Sequence, residues 1–254
     1  VGLVDRMCVA QGADAIRAAL ADLADQGVAH VVVDAVADPD LEVIAEACQA
    51  FRLLTGGSAL AMPLPALHRA SGALTDSEIT TGWQAPDGDA LILSGSCSAM
   101  TQAQVTAYKQ RGPSYRLDPL KLANDGVQPA YDWLTGQNGA PLIYATAAPQ
   151  EVREAQAQLG RNRAGALIED ALAKVAVFAR DRGVRRIVVA GGETSGAVTQ
   201  ALGVTRLDVG PEIAPGVPWC ACDSRGVRMA LALKSGNFGS ESFFSEALQK
   251  LDTL

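Results

Sequence analysis

The chain has 254 residues, 48% of them hydrophobic and 19% charged, which excludes a disordered segment and leaves room for one large domain or two. Its net charge of -7 argues against sequence-independent nucleic-acid binding, which needs a basic surface to displace counterions. No apolar run reaches the about 18 residues of a membrane span, and no secretory signal opens the sequence, so a cytoplasmic protein with no membrane partner is expected.

Val1 stands directly in an apolar stretch, VGLV, so the sequence reads as though it begins inside a domain. Helical periodicity from Ala13 to Gln26 places Ile16, Leu20 and Leu23 on one face, and Gly27 stops it. The run Val28 to Asp34 predicts a buried strand, Leu41 to Phe51 a second helix, and Leu53–Leu54 a short strand ending in Thr55, Gly56, Gly57 and Ser58. From Pro63 to Asp89 the texture changes to Pro, Ser, Thr, Gly and Asp, which predicts a domain boundary or hinge between domains 1–85 and 89–254. The pattern restarts with a buried strand at Ala90 to Leu93, then helices near Thr101 to Gln110 and Pro119 to Asn124, and a strand at Pro141 to Tyr144. The clearest helix runs from Gly165 to Asp181, with Ile168, Leu172, Val175 and Ala179 on one stripe. After it come a strand at Ile187 to Ala190, a helix at Gly196 to Leu202, and strands at Arg206 to Val209 and Met229 to Leu233. The last helix turns Phe243, Phe244, Ala247, Leu248 and Leu251 toward a core. This alternation predicts an α/β fold with a largely parallel sheet flanked by helices.

Three of these strands run into small residues: LLTGGSALA, LILSGSCSAM and VVAGGETSGAV. Glycine permits positive φ and close backbone approach, and a following helix offers unpaired N–H groups to an anion. A single such turn is equally a plain connection. The run Gly191, Gly192, Glu193, Thr194, Ser195, Gly196 is longer than a turn needs and predicts a ligand loop. It is not a Rossmann fingerprint, because Glu193 occupies the place of the second glycine, and no GxxxxGK[ST] loop occurs. Lys234 ends an apolar strand before Ser235, Gly236, Asn237, Phe238 and Gly239. Two readings of it stand, a cation meeting phosphate oxygens and a surface lysine beside a turn.

His30 and His68 are the only histidines, which argues against a Ser-His-Asp triad or a histidine metal site. Asp34, Asp38 and Asp40 follow a strand and read as a solvated loop, and no metal ligand set is expected. Trp219 either packs or flanks a ligand. Cys8, Cys48, Cys97, Cys220 and Cys222 are odd in number and irregularly spaced without a CxxC pair, which predicts reduced thiols.

Taken in order, AQGA, TGGSALA, LILSGSCS, GAPLIYATA, VVAGGETSGAVTQALG, VGPEIAPGVPW and LALKSGNFGSESFF carry a resemblance to the four-carbon acid sugar kinase family, closest to its 3-oxo-tetronate 4-kinase branch. The resemblance implies a two-domain enzyme, with a sugar-acid-binding domain of which residues up to about Ala85 form the closing part, and a nucleotide-binding domain from about Asp89. It implies ATP and Mg²⁺, and phosphorylation of the C4 hydroxyl of a 3-oxo-tetronate, with D-threonate or D-erythronate as alternative substrates and a homodimer as the assembly. Carried onto this chain, the nucleotide residues are Ser94, Gly95 and Ser96, Gly191 to Gly196, and Gly236 with Gly239. Thr55 to Ser58 would face the sugar acid, and Lys234 would stabilise phosphate charge. The family's acidic DD motif, expected to supply the base, has no counterpart in this sequence. That departure keeps open a non-catalytic nucleotide-binding module, and a phosphosugar isomerase or aldolase remains a third reading.

Overall fold

The computed structural model describes residues 1–74 and 83–252. By its internal contacts the chain divides into two compact units, Val1–Thr81 and Gly82–Leu254.

The first unit pairs β1 (Gly2–Val4) with β2 (Val31–Val33) in parallel, Gly2 opposite Val31 and Val4 opposite Val33. Among the described residues four helices accompany them: α1 (Arg6–Val9), α2 (Ala13–Asp25), α3 (Asp38–Ala47) and α4 (Leu64–Ala70). Val4, Val9, Ile16, Ile44, Ala47 and Cys48 form the core, against which Val31 and Val33 pack. The strand expected over Val28 to Asp34 is shorter and less buried than its apolar run suggested. Alternate side chains of a strand face opposite sides, and with one side covered Val32 remains 54% exposed.

Three further expectations change here. No strand forms at Leu53–Leu54, where Leu53 is 83% exposed, and Thr55 to Ser58 are an exposed loop entering a 3₁₀ turn at Ser58–Ala61. Asp40 is buried rather than solvated: its carboxylate accepts the Val36 and Ala37 N–H groups at 3.0 and 3.1 Å and pairs with Arg6 at 3.1 Å, satisfying the start of α3. The stretch read as a hinge contains α4, and residues 75–82 of it lie outside the described residues.

The second unit is built on a seven-stranded sheet with order β4-β5-β3-β6-β9-β8-β7. Its strands are β3 (Asp89–Ser94), β4 (Ser114–Arg116), β5 (Leu142–Tyr144), β6 (Val184–Ala190), β7 (Asp208–Ala214), β8 (Val217–Ser224) and β9 (Val227–Lys234). The five strands from β4 to β9 in that order run parallel, and β8 and β7 extend the sheet antiparallel. Between strands lie α5 (Ala99–Tyr108), α6 (Pro119–Asp125), α7 (Gln128–Thr135), α8 (Pro149–Leu159), α9 (Arg161–Asp181) and α10 (Gly192–Leu202), and α11 (Phe243–Asp252) closes the chain.

The apolar strand runs fit burial on both sheet faces. Leu91, Leu93, Ile187, Val189 and Leu231 join a core with Leu172, Val175 and Val198 from α9 and α10. The intervening Ile92, Val188, Ala190, Ala230 and Ala232 join a second core with Val105 of α5 and Phe243, Phe244 and Ala247 of α11. Trp219, left open in the sequence, packs: it is fully buried and its Nε1–H donates to the Ala247 carbonyl at 2.8 Å. The hairpin β7–β8 replaces the short strand expected at Arg206 to Val209. Its turn at Gly216, with φ of 77°, was not read from PGVP.

Truncating Phe243, which is fully buried, to alanine should destabilise the second unit by about 3–5 kcal/mol, whereas Gln249→Ala on the exposed side of α11 should stay within about 0.5 kcal/mol. All three tryptophans, Trp83, Trp133 and Trp219, lie in this unit, so urea unfolding followed by intrinsic fluorescence reads it selectively. Equal midpoints for the two variants would contradict the packing.

Candidate functional site

Four parallel strands of the second unit end side by side. Tyr144, Ser94, Ala190 and Lys234 are register partners across β5, β3, β6 and β9, and each is followed by a small residue: Ala145, Gly95, Gly191 and Ser235. The carboxyl ends of such strands are where open α/β sheets bind ligands. The backbone ties them together: Ala145 N–H donates to Ser94 O at 2.8 Å and Gly191 N–H to Lys234 O at 2.9 Å. Gly95 and Ser96 N–H both donate to Ala190 O, at 3.0 and 3.2 Å. The Ser94 hydroxyl is buried against the Thr146 hydroxyl at 2.8 Å, and Thr146 donates to Ser96 O at 2.8 Å.

Gly191 has φ of 126°, a conformation that favours glycine, and a Cβ there would stand 3.0 Å from Thr194 Oγ1 and 3.1 Å from Ser96 N. A Cβ on Gly95 would collide with the same Thr194 hydroxyl, and one on Gly236 would stand 2.7 Å from Ser96 Oγ and 2.8 Å from Ser98 Oγ. Gly95, Ser96, Gly191, Thr194 and Gly236 are therefore assembled at one place. Gly239 serves the loop itself, with φ of 79° and its α-carbon packed against the Phe243 ring.

The run from Gly191 to Gly196 is not the extended loop expected. Gly191 alone makes the turn, and Gly192 to Gly196 are already the start of α10. Gly191 has no side chain to cap the helix, so the first N–H groups, at Gly192, Glu193 and Thr194, meet the condition for anion binding at a helix start. Nothing stands within 4 Å of where a Cβ on Gly192 would lie, and Gly192 and Glu193 are exposed, whereas Thr194 is buried.

Lys234 is not the surface lysine that one sequence reading allowed. It is 1% exposed, and its Nζ donates to Ser235 O and Gly236 O at 3.0 Å each and to Thr101 Oγ1 at 3.2 Å. Gly236 O also accepts from Ser98 Oγ at 2.6 Å and Thr101 Oγ1 at 2.8 Å. The ammonium thus fixes the loop after β9 from within, and burial pushes its pKa down to about 8. Sequence reasoning missed Ser98, Thr101, Gln104 and Thr146. The Ser98-x-x-Thr101 spacing at the start of α5, where Ser98 accepts the Thr101 N–H at 3.2 Å, was the available signal. Gln104 holds the same loop through Phe238 O and Ser240 O at 3.0 and 2.8 Å.

Beside this cluster opens a cavity of about 340 Å³. It is lined by Gly95, Cys97, Glu193 and Thr194 and by residues of α6, α8 and α9, with Leu117, Leu120, Val152, Ala155 and Ile168 among its apolar walls. Glu169 of α9 and Glu193 of α10 both line it. Burial, followed by the neighbouring Glu193 charge and its hydrogen bond, holds the Glu169 carboxyl above its ordinary value. At the rim Arg116 pairs with Glu151 at 2.8 Å, and that hydrogen bond, with the Ala148 N–H, lowers the Glu151 pKa.

Between about pH 8 and the ordinary lysine value of 10.5, the unfolded chain binds a proton at Lys234 that the folded chain has released. The unfolding free energy of the second unit should therefore rise with pH across that window, and Lys234→Met should remove this rise. Denaturant titrations at both ends of the window test this, and identical pH slopes for the two proteins would contradict it.

Comparison with known proteins places these residues in a family. Residues 91–244 match the model of a nucleotide-binding C-terminal domain, and residues 1–64 that of a sugar-binding N-terminal domain. The chain is 48% identical over 254 residues to the 3-oxo-tetronate kinase of Pseudomonas fluorescens, covering 99% of this chain and 59% of that protein. It is 47% identical over 255 residues to the 3-oxo-tetronate kinase of Cupriavidus necator, with the same coverage. The crystal structure of a Haemophilus influenzae protein superposes with a TM-score of 0.70 at 38% identity, covering 98% of this chain and 60% of that one. The chain thus spans about 59% of the length of the curated relatives it matches. With the two domain models matched in succession and this identity sustained along the sequence, the chain belongs to the four-carbon acid sugar kinase family.

Proposed function

We propose that this chain carries the nucleotide-binding part, and a portion of the sugar-acid-binding part, of an ATP-dependent kinase acting on the C4 hydroxyl of a four-carbon sugar acid. The substrate we infer is 3-oxo-tetronate, giving ADP and 3-dehydro-4-phosphotetronate, because the relatives named above carry that name. D-Threonate and D-erythronate present the same reacting hydroxyl and are the alternatives. The observation that carries the reading is the uncapped start of α10 at Gly191–Thr194, beside Gly95–Ser96, inside the residues matched by the nucleotide-binding model.

In this reading the triphosphate lies across the ends of β3 and β6. The N–H groups of Gly192, Glu193 and Thr194 donate to its oxygens, and the absent side chain at Gly192 lets the phosphates come close. Ser96 and Gly236 complete the rim. The loop carrying Gly236 is held from beneath by Lys234, Ser98 and Thr101. Lys234 consequently acts on the phosphates through the backbone it positions rather than by direct contact. Phosphoryl transfer asks a protein chiefly for alignment and for stabilisation of charge on the transferring group. Mg²⁺ suits the oxygen donors present: the Ser96 hydroxyl and the Glu193 carboxylate would hold it, and it would neutralise part of the phosphate charge. The exposed Thr55–Ser58 loop, within the residues matched by the sugar-binding model, is proposed to meet the sugar acid.

Gly192→Val places a branched side chain in front of the helix start without a clash and without positive φ. It should weaken ATP binding roughly tenfold or more while leaving thermal unfolding nearly unchanged. Titration calorimetry with Mg²⁺–ATP measures this, and unchanged affinity would remove the site. In a coupled ADP-release assay on the intact protein, 3-oxo-tetronate should turn over faster than D-threonate or D-erythronate. A faster rate with either of those would reassign the substrate, and no turnover with any of the three would end the kinase reading.

A further inference from the structure

Three buried polar side chains of the second unit serve a single loop. Lys234, Thr101 and Gln104 are each 1% exposed or less, and all three donate into residues 235–240. Lys234 Nζ donates to Ser235 O and Gly236 O at 3.0 Å each, and Thr101 Oγ1 to Gly236 O at 2.8 Å. Gln104 Nε2 donates to Phe238 O and Ser240 O at 3.0 and 2.8 Å. The carbonyls of Ser235, Gly236, Phe238 and Ser240 are thus drawn toward buried donors. An ammonium buried without an ion pair is costly, and among the described residues Lys234 has none. A loop that only connected β9 to α11 would not require that cost.

The consequence lies on the other side of the same peptide groups. In a trans peptide the C=O and N–H point in opposite directions, and no cis bond occurs among the described residues. With Ser235 O and Gly236 O turned toward Lys234, the N–H groups of Gly236 and Asn237 are turned away from it. Neither has a protein acceptor among the described residues, and Asn237 is exposed. Gly236 lies against Ser96, whose Oγ stands 2.7 Å from where a Gly236 Cβ would be. Two successive N–H groups facing outward suit an anion. Rotation of either peptide would set a carbonyl oxygen there instead, which repels phosphate.

We propose that Thr101 and Lys234 are positioning residues for phosphoryl transfer: they hold the Ser235 and Gly236 carbonyls inward and so keep the Gly236 and Asn237 N–H groups toward the phosphates. The proposal rests on the reading that the start of α10 and Gly236 border the phosphate site, and it adds the Asn237 N–H as a donor. Thr101 is the link between cation and peptide, because it accepts from Lys234 at 3.2 Å and gives its own proton to Gly236 O. Ser98 is not equivalent. Its one hydroxyl proton lies within reach of both Gly236 O at 2.6 Å and Thr101 Oγ1 at 3.0 Å, so it serves one of them at a time.

Two pairs of variants of the whole chain test this, with inorganic tripolyphosphate and Mg²⁺ as the calorimetric probe and tryptophan fluorescence in urea to follow folding. Thr101→Val keeps the shape and loses the hydroxyl, which Thr101→Ser retains. Asn237→Pro removes the N–H, whereas Asn237→Ala removes only the side chain. Thr101→Val and Asn237→Pro should each bind about tenfold more weakly than the wild type, the effect of one hydrogen bond to a charged acceptor. Thr101→Ser and Asn237→Ala should bind as the wild type does. If Thr101→Val lowers the urea midpoint but leaves the affinity of the folded protein unchanged, Thr101 only supports the fold and the positioning role is overturned. Equal affinities for Asn237→Pro and Asn237→Ala overturn it as well, and this second pair decides alone if Thr101→Val does not fold. In both cases the site at α10 stands as long as the wild type binds tripolyphosphate. If the wild type does not bind it, the phosphate site itself fails and the positioning role fails with it.

Discussion

The carbonyl oxygen of Ala190 accepts two N–H groups from the loop after β3, Gly95 at 3.0 Å and Ser96 at 3.2 Å, and in doing so draws that loop across the end of β6. The next residue, Gly191, turns with φ of 126° and gives its own N–H to the Lys234 carbonyl of β9. Three segments separated by long stretches of sequence are thereby held at fixed spacing by main-chain atoms alone. Close contact follows as a requirement: Gly95 must lack a side chain because the Thr194 hydroxyl occupies that space, and Gly236 must lack one because Ser96 and Ser98 do. These glycines answer to packing. Gly192 does not, since a Cβ there would meet nothing within 4 Å.

The charge distribution has a consistent logic. A chain with net charge -7 can hold a polyanion when the attraction comes from oriented backbone N–H groups and a metal ion rather than from a basic surface. The one lysine of the cluster, Lys234, is buried beneath the loop it supports, and its protons are directed to Ser235 O, Gly236 O and Thr101 Oγ1. The neighbouring cavity is acidic, with Asp118, Glu151, Glu154, Glu169 and Glu193 against Arg116.

Most of the second unit was legible in the sequence because its strands are buried on both faces and read as continuous apolar runs. Leu91 to Leu93 and Ile187 to Ala190 left little ambiguity, and the periodicity of α9 and α11 placed their buried stripes correctly. The hairpin β7–β8 was not legible, since Pro211, Pro215 and Pro218 interrupt the runs and resemble a loop. In the first unit the apolar pair Leu53–Leu54 imitated a strand that has no pairing partner. Glycines at Gly191, Gly192 and Gly196 suggested a loop because their composition is that of a turn, yet α10 starts immediately after the first of them. The candidate site was legible where small residues follow strands. Its supports, Ser98, Thr101, Thr146 and the inward-facing Lys234, depend on contacts across more than a hundred residues in several cases, which no local pattern encodes.

The central claim is that the uncapped start of α10 grips a triphosphate. A crystal structure of the protein with a non-hydrolysable ATP analogue and Mg²⁺ tests it most directly. The claim predicts phosphate oxygens about 2.7–3.2 Å from the Gly192, Glu193 and Thr194 nitrogens. Phosphates lodged elsewhere, with this helix end contacted only by solvent, would contradict it.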